Sequence, residues 1–148
     1  LLLDRGDLHQ LVANAASAYA RAAVGGAIAI TGATEPVYRM VDAKRFEMAL
    51  GMLLMQACLA TDEASPSIGV SRLGVVAVVQ IADAGPLPEA IALALALPEH
   101  MLPAPDDIAT LRVAVAREVV AAHGGSLQAF SEGVGYVVNI SLPGILAS

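Results

Sequence analysis

The sequence has little of several residue types on which common kinds of site depend. It contains a single cysteine, Cys58, and no tryptophan. One thiol excludes both a disulfide framework and a zinc site built from cysteines, so we expect Cys58 to be a buried, inert core residue. No apolar run approaches the roughly 18 residues that cross a membrane as a helix. We therefore expect no direct membrane contact by this segment.

Positive charge is also scarce. Eight Lys and Arg residues stand against 14 Asp and Glu residues, which gives a formal net charge of −6. The basic residues form no stripe, and proteins bind nucleic acids largely through contacts to the phosphates. The composition therefore argues against nucleic-acid binding.

Small apolar residues dominate what is present. The chain is 57% hydrophobic but only 3% aromatic, so Ala, Val, Leu and Ile must build the core through close packing. Its 148 residues suffice for a real core, and we expect one domain over residues 1–148. Because the chain begins with Leu1 rather than Met, we also expect it to be a fragment of a longer protein.

Apolar residues at helical spacing predict three long helices. The predicted helices are residues 4–23, 43–61 and 108–123. Their predicted N-caps are Asp7 for the first, Asp42 for the second, and Asp106 or Asp107 for the third. Gly124–Gly125 is expected to stop the third helix. A short helix from Pro88 to about Leu97 is also predicted, although the alternation of this segment fits a strand as well.

Alternating and apolar runs predict strands between the helices. They are residues 27–31, 37–42, 68–72, 74–83, 126–130 and 135–143. The first two are separated by a turn, and the nearly all-apolar strand 74–83 is expected to be central and covered on both faces. The order of elements predicts a two-layer α/β (α+β) sandwich. It combines a mixed, mostly antiparallel sheet of about five strands with about three helices on one face.

Two segments carry a resemblance to a known family. REVVAAHGGSLQAFSEGVGYVVNISLPG at 117–144 and VVQIADAGP at 78–86, in this order of elements, resemble the catalytic, ATP-binding domain of sensor histidine kinases. That domain has the Bergerat fold of the HATPase or GHKL superfamily, shared with gyrase and heat-shock ATPases. The resemblance covers nearly the whole chain. It implies a bacterial, cytoplasmic two-component module that works with a helical dimerisation and phosphotransfer domain and a response regulator.

The first nucleotide motif of the family is altered. A helix normally carries two asparagines four residues apart, the second of which holds Mg²⁺; the matching positions are Met52 and Gln56. A thioether cannot replace an amide, and Gln places its oxygen one methylene further out, whereas Mg²⁺ demands near-ideal octahedral geometry. We expect no metal ligand here. Gln56 reaching a phosphate through water is the alternative.

The second motif, Asp-x-Gly-x-Gly after the central strand, is half kept. Asp83 and Gly85 are present, but Leu87 replaces the second glycine. The resemblance implies that Asp83 accepts a hydrogen bond from the amino group of adenine. A buried carboxylate needs a donor, so Asp83 meets either an adenine-like group or a substitute from the protein. An Asp that caps nearby backbone N–H groups in a turn is an equally good interpretation.

The third motif has lost both glycines. In the family they leave bare backbone N–H groups at a helix N-terminus to cradle the triphosphate; here Thr110 and Arg112 occupy those positions. Arg112 could offer charge to a phosphate, or it could be solvent-exposed or paired. The segment before this helix is hydrophobic and framed by prolines, where the family has a glycine-rich lid.

These departures favour a degenerate module. We expect a vestigial nucleotide site at Gln56, Asp83, Gly85 and Arg112, without a catalytic residue or metal ligand. The leading hypothesis is a pseudokinase or phosphotransfer scaffold, inactive on its own, with residues 87–97 filling the vacated pocket or meeting a partner helix. The alternative is a divergent, active domain that binds Mg-ATP and phosphorylates a His on a separate helical domain.

A third hypothesis is a different kind of regulator, and the three histidines are not expected to carry out phosphotransfer. A partner-switching regulator of the anti-sigma type uses the same fold, although no residue selects it. None of His9, His100 and His123 is expected to accept a phosphoryl group, and His123 matches the structural His-Gly-Gly helix stop of the family.

Overall fold

The computed structural model describes residues 1–23, 26–60, 65–83, 85–87, 92, 95 and 108–144. The elements in chain order are β1 (Asp4–Asp7), α1 (Leu8–Tyr19), a 3-10 turn (Ala20–Ala22), β2 (Ala29–Gly32), β3 (Tyr38–Val41), α2 (Ala43–Ala60), β4 (Ser67–Leu73), β5 (Val76–Asp83), α3 (Ile108–Ala122), β6 (Ser126–Glu132) and β7 (Gly135–Pro143). None of the helices in these ranges is long and apolar enough to cross a membrane.

Seven of these segments form two sheets. The larger sheet has the strand order β2-β4-β5-β7-β6, and a smaller one pairs β1 with β3. In the larger sheet β2 runs parallel to β4, and the other neighbours are antiparallel. The predicted mixed, mostly antiparallel sheet and the central position of β5 are confirmed. The predicted burial of β5 on both faces is only partly right, because Gln80 is exposed between buried Val79 and Ile81.

The helices form the second layer. α1 contacts α2, α2 contacts α3, and each helix also packs against a strand of the larger sheet. Between the layers lie the largest fully buried side chains, which include Phe46, Leu50 and Leu54 of α2 and Ile68, Ile81 and Ile140 of the sheet. Alanines of all three helices fill the gaps between them. The predicted two-layer sandwich is confirmed.

Local helix signals are read correctly from the sequence. Asp7 Oδ1 accepts hydrogen bonds from the backbone N–H groups of the first helical turn, and Asp42 Oδ1 accepts one from Arg45 N at 3.3 Å. Gly124 has φ +76° and ends α3 in the left-handed conformation. The predicted caps Asp106 and Asp107 lie outside the described residues, as does nearly all of the predicted helix from Pro88 to Leu97.

One prediction near the N-terminus is wrong. Residues 4–7 form β1 instead of the first helical turn, because they pair antiparallel with β3. The predicted strands 27–31 and 37–42 are both present as β2 and β3, but they belong to different sheets, because β2 pairs with β4 and β3 pairs with β1. Strands of four residues bury too little on one face to show an alternating pattern, so the sequence does not reveal their partners.

Arg39 joins the two sheets. Its guanidinium donates three hydrogen bonds to backbone carbonyl oxygens: Nη2 to Val75 at 2.6 Å, Nη1 to Tyr38 at 2.8 Å and Nε to Leu142 at 3.4 Å. These oxygens belong to β3, to the turn between β4 and β5, and to β7. One side chain therefore holds the small sheet against the start of β5 and the end of β7 in the large sheet.

His123 attaches the end of α3 to the start of α2. Its Nδ1 donates to the carbonyl oxygen of Val119 at 2.7 Å, and its Nε2 accepts from the backbone N–H of Asp42 at 3.0 Å. Its ring meets Phe46 edge to face, with 5.6 Å between centroids. Both ring nitrogens are occupied, which fixes the tautomer.

Candidate functional site

Asp83 is the buried charged residue of the described chain, only 6% exposed at the end of β5. Its Oδ1 accepts a hydrogen bond from the backbone N–H of Gly85 at 3.0 Å. This is the turn-capping geometry that the sequence allows as an alternative to a ligand contact. Because a carboxylate has about four acceptor positions on two oxygens, the turn leaves Asp83 able to accept more bonds.

The second oxygen of Asp83 faces a buried environment. Oδ2 receives no hydrogen bond of acceptable geometry within the described part of the chain. A buried polar atom in that state costs about 1–3 kcal/mol. Cys58 of α2 is a neighbour, since burial and then the negative charge of Asp83 raise the pKa of its thiol.

Tyr136 is the other neighbour of Asp83. It lies directly opposite Asp83 on β7 and is 3% exposed. Burial, the charge of Asp83 and a side-chain hydrogen bond with Asp83 all raise the pKa of Tyr136, so its hydroxyl stays protonated as a donor. The hydroxyl and the carboxylate are therefore adjacent.

Gln56 holds the second unpaired oxygen of this region. Its Oε1 is buried and has no hydrogen-bond partner in the described ranges. Met52 precedes it by one helical turn and contributes only a thioether. Among the described residues no group of three His, Cys, Asp or Glu side chains could hold a metal ion. A thioether and a single amide oxygen are a poor match to the near-octahedral set of oxygen ligands that Mg²⁺ takes.

Arg112 lies in the first turns of α3 and is half-buried. No hydrogen bond or ion pair of the described residues joins it to Asp83, Gly85 or Gln56. The structure thus brings two of the four predicted site residues, Asp83 and Gly85, into direct contact, and it leaves Gln56 and Arg112 without a bond to them.

Sequence reasoning missed Tyr136 and Cys58 as neighbours of Asp83. Cys58 was predicted only as an inert core residue, and Tyr136 received no role. The signal that would have found Tyr136 is the β5–β7 register, which pairs Asp83 with the second residue of β7. That register connects segments far apart in sequence, so no local sequence pattern predicts the pairing of Asp83 with Tyr136.

A cavity of about 310 Å³ lies away from this region, where Arg5, Tyr38, Arg39 and His123 contribute to its wall. Its polar groups are already engaged. Arg39 and His123 bond to the backbone, and the guanidinium of Arg5 lies 4.2 Å from the centroid of the Tyr38 ring. Asp83 does not line it, so it is separate from the candidate site.

Comparison with known proteins gives a match of fold. No protein-family model matches the sequence, and no curated protein matches it. The catalytic domain of histidine kinase ThkA, in a nucleotide-free form, has a TM-score of 0.78 and 17% identity, with 97% of this chain and 96% of that chain covered. Full-length ShkA in complex with AMPPNP has a TM-score of 0.78 and 22% identity, with coverages of 100% and 32%.

ThkA in complex with the response regulator protein TrrA is a further counterpart. It has a TM-score of 0.76 and 18% identity, and the match covers 97% of this chain and 42% of that chain. At such low identities the similarity speaks for the fold. Together with the two layers and the mixed five-stranded sheet, it shows that this chain has the fold of histidine kinase catalytic domains.

Proposed function

We propose that this chain is a two-component signalling module that keeps the fold of a histidine kinase catalytic domain and has lost most of its nucleotide site. It would act as a pseudokinase or phosphotransfer scaffold, inactive on its own. The observation that carries the proposal is the set of side chains at the motif positions. Met52 and Gln56 stand where a metal ligand is needed, and Thr110 and Arg112 stand where phosphates need bare backbone.

The changes affect metal, phosphate and base contacts together. Loss of one preorganised interaction in an active site commonly costs a factor of about 10² or more. At the base position Asp83 is already bonded to Gly85 and lies beside Tyr136. Leu87, where the motif has glycine, packs against the hydrophobic core, and Leu95 does the same. These contacts support a role for Leu87 and Leu95 in filling the space that a nucleotide would need.

Partners follow from the proposed class. A module of this kind would work in the cytoplasm beside a helical dimerisation and phosphotransfer domain and a response regulator. Support comes from the structural counterpart ThkA, which forms a complex with the response regulator protein TrrA.

A divergent, active kinase domain is the second candidate, and one observation favours it. Asp83 Oδ2 and Gln56 Oε1 are both buried acceptors without a hydrogen-bond partner in the described chain. Buried acceptors are normally satisfied, and Mg-ATP brings an amino donor and a hydrated cation. The structural counterpart ShkA was solved in complex with AMPPNP, an ATP analogue.

A titration of the wild-type chain with Mg-ATP, followed by calorimetry and thermal shift, separates the two candidates. A ligand at about 100 times its Kd would stabilise the fold by about 2.7 kcal/mol. For a chain of this size that means a rise of a few degrees in Tm. We expect no saturable shift. A saturable shift of this size that Asp83→Asn abolishes would overturn the scaffold proposal in favour of the active kinase.

A gain-of-binding variant provides the converse test. We expect the triple substitution Gln56→Asn, Thr110→Gly and Arg112→Gly to increase affinity for Mg-ATP, because it restores an asparagine amide and a bare backbone. The same triple in an Asp83→Asn background is the control and should stay inert. If the wild type is inert and the triple gains nothing, then side chains that fill the site, such as Leu87 or Tyr136, exclude the nucleotide even where the motif residues are restored.

A further inference from the structure

Tyr136 and Asp83 are directly opposite residues of two paired strands. In an antiparallel pair, opposite side chains lie on the same face with Cβ atoms about 4.5–5.5 Å apart. Tyr136 is 3% exposed and Asp83 is 6% exposed. Tyr136 belongs to the core cluster between the sheet and the helices. Both side chains therefore point into the interior, and the phenol ring lies beside the carboxylate.

The chemistry of the pair matches what Asp83 needs. Oδ1 is satisfied by Gly85, whereas Oδ2 is buried without a well-formed bond. The hydroxyl of Tyr136 is an adjacent donor and is held in its protonated form by burial and by the charge of Asp83. The phenol is a planar ring that carries a hydrogen-bond donor. An amino-substituted heterocycle has the same two features, so both groups could bind beside a buried carboxylate such as Asp83.

We propose that the phenol ring of Tyr136 fills the space beside Asp83 and so excludes a planar ligand carrying an amino donor. The inference rests on the proposed function, because it explains how the base position is filled in a module that does not bind nucleotide. Tyr136 is a specificity-determining residue in this view. It decides whether Asp83 is available to a ligand or is used within the fold.

Truncation of the ring tests the proposal by opening that space. We compare wild type, Tyr136→Ala and, as a matched loss of a tyrosine elsewhere, Tyr38→Ala, whose ring is 42% exposed. The probes are adenosine, which needs no phosphate cradle, and phenol, with toluene as the analogue without a donor. Cavities left by core truncation can bind small aromatic molecules.

We expect wild type and Tyr38→Ala to show no saturable thermal shift with any probe. Tyr136→Ala should lose several degrees of Tm and regain part of the loss with adenosine or phenol, and less with toluene. A folded Tyr136→Ala variant that binds none of the probes overturns the proposal. So does a wild type that binds adenosine with Tyr136 in place.

A double-mutant cycle decides the matter even if Tyr136→Ala does not fold. Tyr136→Phe removes only the hydroxyl, and Asp83→Asn removes the charge. Because interacting residues couple, we expect the double variant to lose less Tm than the sum of the two single losses, by a few degrees. Strictly additive losses overturn the pairing of the two groups.

The two levels of hypothesis fail in different ways. Tight, saturable Mg-ATP binding by the wild type overturns the scaffold function. In a wild type that is inert toward nucleotide, failure of Tyr136→Ala to gain binding together with additive Tm losses overturns only the role assigned to Tyr136.

Discussion

The two ends of α3 differ in what their residues preserve. At the C-terminal end, His123 bonds to Asp42, Gly124 adopts φ +76°, and Gly125 N donates to the carbonyl oxygen of Val120 at 3.0 Å. At the N-terminal end are Thr110 and Arg112, the residues that the proposed function places where phosphate-binding glycines would be needed. Under that proposal, the end that the fold requires is intact, whereas the end that nucleotide binding would require has changed.

The difference has a physical cause. The C-terminal contacts stabilise the protein in the absence of any ligand, so their loss lowers the free energy of unfolding. A phosphate cradle stabilises the fold only when phosphate is bound, and glycine within a helix costs about 1 kcal/mol relative to alanine. Under the proposed function, replacing such glycines favours the folded state, because no phosphate has to be bound.

The largest expected effect is at Gly125. A Cβ at this position would lie 2.5 Å from the carbonyl oxygen of Ser141 and 2.9 Å from Cδ2 of Leu142. Gly125→Ala should lower the free energy of unfolding by about 2–3 kcal/mol, measured by urea denaturation, because backbone of β7 must shift. Gly124→Ala is the control. A Cβ at residue 124 would lie in open space, but the backbone there has a positive φ. Gly124→Ala should therefore lower the free energy of unfolding by about 1–2 kcal/mol. Equal or inverted losses would show that close approach to β7 is unimportant.

A middle-sized effect is expected at His123. His123→Ala should cost about 1–2 kcal/mol in the same assay, since the backbone N–H of Asp42 loses its acceptor and Phe46 loses its edge contact. The matched control is His9→Ala. His9 Nε2 makes an exposed hydrogen bond with the carbonyl oxygen of Glu35 at 2.7 Å, so the control should change stability by less than about 0.5 kcal/mol. A loss as small at His123 would mean that the link between α3 and α2 contributes little.

The smallest effect is expected at Arg112. Arg112→Ala should change the free energy of unfolding by no more than about 0.5 kcal/mol, because no described partner loses a bond. Arg39→Ala is the contrasting control, since its guanidinium bonds three carbonyl oxygens and its loss should be clearly measurable. A cost above about 1 kcal/mol at Arg112 would show that the N-terminal end of α3 has acquired a structural role.

The layer architecture and the local helix signals could be predicted from the sequence. Asp7, Asp42 and Gly124 act within one turn of the chain, so their residue types suffice to place helix starts and stops. The strand formed by residues 4–7 could not be predicted, because only its pairing with β3 makes it a strand. Its acidic residues also suit the start of a helix, which is why the sequence misleads there.

The candidate site divides in the same way. The turn bond between Asp83 and Gly85 was foreseen as one of two interpretations, because it spans two residues. Tyr136 and Cys58 reach Asp83 from β7 and α2, and only the packed sheet and helix layer bring them there. Motif comparison detects which groups are missing from a site. It does not detect which side chain has moved into the space.

Arg39 has a consequence for how the molecule opens. Its guanidinium bonds a carbonyl oxygen of β3 itself and carbonyl oxygens of the β4–β5 turn and of β7, so separating the small sheet from the large one leaves the two acceptors on the large sheet without that donor. Such shared bonds make two sheets one cooperative unit in hydrogen exchange. Amide protons of β1 and β3 then exchange through the same opening as those at the end of β7, and the small sheet is not an independently fraying flap.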